Sequence, residues 1–153
     1  MSLFGLLTFA LCSLLQNAAA PPSIDDFLSV KEKASLTSST NVNQRVKVYE
    51  TASRRYQETL EDDIAKNDFS QIPDNLKRWT ALLSASIEDI EANLKTKKRS
   101  RVLIHYEIEL RKDIATFHSY KTKVPADQQD LFGTTLDQAE TIRKKLIEMI
   151  FQH

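Results

Sequence analysis

Leu94-Lys95-Thr96-Lys97-Lys98-Arg99-Ser100-Arg101-Val102-Leu103 is the stretch that decides how this chain folds. Upstream of it, Leu76, Trp79 (or Thr80), Leu83, Ile87, Ile90 and Leu94 recur at steps of three and four, the spacing that lines one side of a helix. Downstream, Leu103, Tyr106, Leu110, Ile114, Phe117 and Tyr120 do the same. Neither Gly nor Pro occurs between Pro73 and Pro125, so composition alone allows one rod over residues 73–124. The phase does not. Carrying the first stripe past Leu94 puts Lys97, Arg101 and Arg111 on the apolar side. A turn within residues 95–100, with Ser100 as the new N-cap, restores both stripes and folds the rod back on itself.

Residues 102–110 also alternate like a strand and include Val102, Ile104 and Ile108. A helix is expected nonetheless, because the spacing from Leu110 to Tyr120 is helical and no second strand is available to pair. Being apolar on two sides, this helix is expected to be the most buried one.

Working outward, Val46, Tyr49, Ser53, Tyr56, Leu60 and Ile64 mark a long amphipathic helix from Val42 to about Lys66-Asn67-Asp68. Pro73 suits the first turn of the next helix. The last helix starts at Pro125 or restarts after Gly133 with Thr134, Thr135 and Asp137 as a cap, and its stripe is Leu136, Ala139, Ile142, Leu146 and Ile150. Near the start, Ser23 caps a short helix whose apolar side is Ile24, Phe27, Leu28 and Ala34, and a polar linker follows at residues 37–41. The expected fold is all-α: an antiparallel four-helix bundle (up-down) over residues 42–153, preceded by a short N-terminal helix and linker at 21–41. Acid-before-base pairs at i,i+4 (Asp62/Lys66, Asp74/Arg78, Glu91/Lys95, Glu107/Arg111, Glu140/Lys144) describe a solvated face.

The 21 Lys+Arg and 21 Asp+Glu residues all fall after residue 20. The apolar run Leu3 to Leu15 has signal-peptide length and is short of the roughly 20 apolar residues of a membrane span. Ala18-Ala19-Ala20 offers small side chains to a signal peptidase. Residues 1–20 are therefore read as a signal peptide, removed by cleavage, that sends the protein to the periplasm or the extracellular space. The n-region lacks Lys and Arg and Pro21 follows the cleavage point, so retention as an anchor is the alternative. The one cysteine, Cys12, leaves with the segment, which rules disulfides, thiolate nucleophiles and Cys-ligated metals out of the mature chain.

Two glycines in the whole chain exclude the phosphate-binding G-x-x-x-x-G-K-[ST] and G-x-G-x-x-G loops and the G-x-S-x-G elbow. None of His105, His118 and His153 has an acid three positions earlier, as di-iron bundles require. His105 and Glu109, at i,i+4, form the one spacing that suits a metal; packing or boundary placement of His105 is the plainer account. The acidic runs around Glu58 to Asp63 and Glu88 to Glu91 read as charged helix faces. Trp79, Tyr49 and Tyr56 sit on apolar stripes and read as core anchors.

The densest chemical signal is basic: Lys95, Lys97, Lys98, Arg99 and Arg101. It is either an anion or partner contact or a solubilising turn. Zero net charge and the lack of an interleaved aromatic platform argue against nucleic acid. The expected function is an exported, non-catalytic binding or structural module with an anionic macromolecular partner, no cofactor and no transmembrane span in the mature chain. The competing expectations are a metal- or carboxylate-dependent hydrolase centred on His105 and Glu109, and a homo-oligomer sharing the stripes of residues 73–124 as a coiled coil.

Overall fold

The computed structural model describes residues 23–94 and 100–151, with side chains from residue 101 onward in the second stretch. The apolar segment 1–20 and the run 95–99 lie outside the described residues. All regular structure among the described residues is helical: a 3-10 turn at Ile24–Phe27, α1 at Val30–Thr37, α2 at Val42–Ala65, α3 at Ile72–Asn93, α4 at Ser100–Lys121 and α5 at Ala126–Phe151. None of these helices is long and apolar enough to cross a membrane.

The phase shift is resolved by a break. α3 stops at Asn93, Leu94 leaves the helix with φ −75° and ψ 101°, and its N–H bonds Glu91 O at 3.3 Å. α4 then opens at Ser100. Leu76, Trp79, Leu83, Ile87 and Ile90 of α3 and Leu103, Tyr106, Leu110, Ile114, Phe117 and Tyr120 of α4 are all buried. The turn and the capping side chain of Ser100 lie outside the described residues.

Two local expectations are corrected, and one open choice is decided. Residues 102–110 are helical, but Ile104 is 44% exposed and Val102 and Ile108 only half-buried, so α4 is one-sided. The most deeply buried helix is α3, where Ile72, Leu82 and Ser86 join the stripe in the interior. Second, of the two starts left open for the last helix the one at Pro125 holds, since α5 runs from Ala126 through Gly133; the Thr134 hydroxyl donates to Asp130 O inside the helix, and Thr135 is buried instead of capping. Buried Phe132 ties that first part to the core, which outweighs one poor helix former. Third, the N-terminal segment splits at Leu28. Ser23 caps the 3-10 turn, and Ser29 with Glu32 forms a second capping box that starts α1. Leu36 is buried there, and Ala34 faces solvent.

α2 packs against α3 and α4, and α5 packs against the same two helices; α1 lies on α2, and the 3-10 turn lies on α3. Contacts set the directions. Arg45 reaches Asp89 while Asn75 reaches Asp63, so α2 and α3 are antiparallel. Glu50/His105, Ser53/Asp113 and Glu61/Tyr120 ascend together, so α2 and α4 are parallel. Although consecutive, α3 and α4 meet across the core instead of along a shared seam: Trp79 stacks on Phe117 at 3.9 Å, and Ser86 and Tyr106 share a 2.7 Å hydrogen bond. The chain does turn back after α3, but α4 is not laid side by side with it.

Of the i,i+4 pairs, Asp62 and Lys66 close at 2.5 Å. Glu107 and Glu140 both turn to Arg143, at 2.6 and 2.8 Å, and Glu91 faces Lys145 at 3.8 Å. A contact between helices takes Glu107 from Arg111, and an i,i+3 contact within α5 takes Glu140 from Lys144.

Candidate functional site

Of the predicted basic contact, Arg101 is on the first turn of α4 and exposed, whereas Lys95, Lys97, Lys98 and Arg99 lie outside the described residues. Leu94 and Ser100 place the ends of that run at the end of the molecule where α2 begins and α5 finishes, next to the Arg45/Asp89 and Glu91/Lys145 pairs.

The polar chemistry within the described residues concentrates on the α2–α4 seam. Steps of three and four put Glu50, Ser53 and Arg54 of α2 alongside His105, Glu109 and Asp113 of α4. His105 Nε2 stands 3.1 Å from Glu50 Oε1, and that buried oxygen has no hydrogen bond among the described residues. Burial pushes the Glu50 carboxyl above the usual carboxylate range; His105 opposes the shift, and Glu109 and Asp113 add to it. Deeper in, Trp79 Nε1 donates to Ser53 Oγ at 2.8 Å, and Ser53 Oγ donates to Asp113 Oδ2 at 2.6 Å. The chain of donors runs from the core indole outward to the carboxylate. Burial also raises the Asp113 carboxyl, against the lowering effect of the Ser53 bond.

His105 and Glu109, the spacing that would suit a metal, each take a different partner. His105 faces α2, and Glu109 is held by Lys112 Nζ at 2.6 Å, a bond that keeps its carboxyl below the usual range. No group of three or more His, Cys, Asp or Glu side chains among the described residues is arranged to hold a metal ion.

A second polar centre was not legible in the sequence. Asp89 takes both Arg45 Nε (2.6 Å) and Arg45 Nη2 (2.5 Å), and it also accepts from the Tyr49 hydroxyl and from Asn93 Nδ2. Burial, with Asp89 alongside, raises the Tyr49 hydroxyl far above its ordinary value. Asp89 falls in the acidic run that reads as a charged helix face, and the only sequence signal for Arg45 was its position beside Val46 of the stripe. A third centre fastens α1. Arg55 grips Glu32 through Nε and Nη2, both at 3.0 Å, while Arg55 Nη2 (2.9 Å) and the Tyr56 hydroxyl (3.1 Å) donate to Phe27 O. Tyr49, Tyr56 and Trp79 thus combine a buried ring with a satisfied polar tip, as their place on the stripes predicted.

No protein-family model matches this chain, and neither does any curated protein or solved structure.

Proposed function

We propose that this protein is an exported, non-catalytic helical module that binds an anionic macromolecule of the cell envelope or extracellular space. In this reading residues 1–20 are a signal peptide, and α2 to α5 form an up-down four-helix bundle in which successive helices alternate in direction while the neighbours α2 and α4 run parallel. Lys95, Lys97, Lys98, Arg99 and Arg101 are its partner contact. One observation carries the non-catalytic part: apart from Glu50, the charged groups at the helix seams are spent on holding the bundle together. Asp89 is bound by Arg45 and Tyr49, Asp113 by Ser53, and Arg143 by Glu107 and Glu140. Groups committed in this way rigidify a scaffold. The basic run, joining two helices at one end of the molecule, supplies concentrated charge that a partner of opposite sign can meet.

The test replaces Lys97, Lys98, Arg99 and Arg101 with Gln. The helical circular dichroism and melting curve are expected to stay as in the wild type, while salt-sensitive retention on an anionic matrix and capture of envelope components fall. Unchanged retention and capture overturn the contact; N-terminal sequencing of the mature protein checks the cleavage.

A further inference from the structure

We infer that the outer face of the α4–α5 seam docks on an anionic phospholipid surface, with Ile104 and Phe151 entering the headgroup layer and Arg101, Arg111 and Lys144 facing its phosphates. The inference names a partner for the envelope-binding reading above and rests on it.

Ile104 (44%) and Phe151 (83%) are two of the three large apolar side chains left exposed among the described residues. Helix geometry brings them together. Glu107 of α4 meets Arg143 of α5 at 2.6 Å across antiparallel helices. Ile104 precedes Glu107 by one turn, while Ile147 and Phe151 follow Arg143 by one and two turns. All three therefore lie toward the same end and on the same side, with Ile147 half-buried between the exposed pair.

The charge on this face is not balanced. Two of its carboxylates, Glu107 and Glu140, are bound to Arg143, and a third, Glu148, is exposed one turn after Lys144; Arg101, Arg111 and Lys144 are exposed with no ion pair among the described residues, three cations to one free carboxylate. Apolar side chains ringed by unpaired cations have the chemistry of an interfacial contact with anionic lipid. A second copy of this chain fits poorly, because two-fold pairing of the face would set the same cations against each other.

Co-sedimentation with vesicles tests the inference, using phosphatidylcholine alone and phosphatidylcholine mixed with phosphatidylglycerol. Binding is expected only to the mixed vesicles and is expected to weaken as salt rises. The variant Arg101→Gln/Arg111→Gln/Lys144→Gln is expected to lose about fivefold per cation, and Ile104→Ser/Phe151→Ser about tenfold. These are surface positions, and circular dichroism checks that each variant stays folded. Equal binding to both vesicle types, no binding to either, or wild-type binding by the Ser variant each overturns the inference. So does a dimer in light scattering that the Ser variant dissociates. If vesicle binding fails while the Gln variant of residues 97–101 still loses envelope capture, the membrane face is wrong and the proposed function stands.

Discussion

Asp113 and Glu32 are both carboxylates in inter-helix contacts, yet pH acts on them in opposite directions. Asp113 has its folded pKa raised above the unfolded value, so the stability it contributes is present at low pH and lost as pH rises through the folded pKa. Asp113→Asn keeps an acceptor for Ser53 and removes the buried charge. It is expected to stabilise the protein by about 1 kcal/mol at pH 7 and by almost nothing near pH 3.5, read from urea unfolding at the two pH values. For Glu32, burial pushes the pKa up, but hydrogen bonds from Arg55 and Ser29 outweigh it and the net shift is downward. Its stabilising contribution is present above the unfolded carboxyl range and lost as pH falls through the lower folded value. Hydrogen exchange in α1 should therefore quicken selectively below about pH 4, and Glu32→Gln should abolish that selectivity while costing about 1 kcal/mol. Asp89 is the most heavily bonded of the carboxylates. Asp89→Ala leaves Arg45 half-buried without its partner and is expected to cost about 3 kcal/mol in the same urea assay.

At the scale of elements, the stripes made the helices legible. Every position of the α3 and α4 stripes through Tyr120 is buried except Leu94, which is the residue that leaves the helix. The misreadings share one cause: local signals lose to packing. Gly133 left the start of the last helix open, but Phe132 and Leu136 on either side of it face the core and carry α5 through. The strand-like alternation at residues 102–110 had no partner to pair with, so its odd apolar members were left at the surface. Gly133 also offers a prediction. Its φ is not positive, and an added Cβ would meet only the flexible tip of Lys121, Nζ at 3.3 Å. Gly133→Ala is thus expected to stabilise by about 0.5–1 kcal/mol, seen as a higher melting temperature.

At the scale of the molecule, the two ends differ. The 3-10 turn is pinned toward the middle of α3, with Arg78 Nη2 donating to Asp26 O at 2.8 Å, whereas Leu94, Ser100 and Phe151 gather at the end where α2 begins. Ser23 therefore lies away from Leu94 and from the exposed Ile104 and Phe151. The four long helices, most of their boundaries and the core stripes follow from the sequence alone, because a period near 3.6 and the placement of Pro, Ser and polar linkers are local properties of the chain. Which helices neighbour one another, and so which acid meets Arg143, Arg45 or His105, was decided only in the tertiary structure. Amphipathic stripes say which face turns inward, but not which of three similar faces they turn toward. The choice falls to side chains such as Trp79 and Phe117 that meet across the core from helices with no common seam.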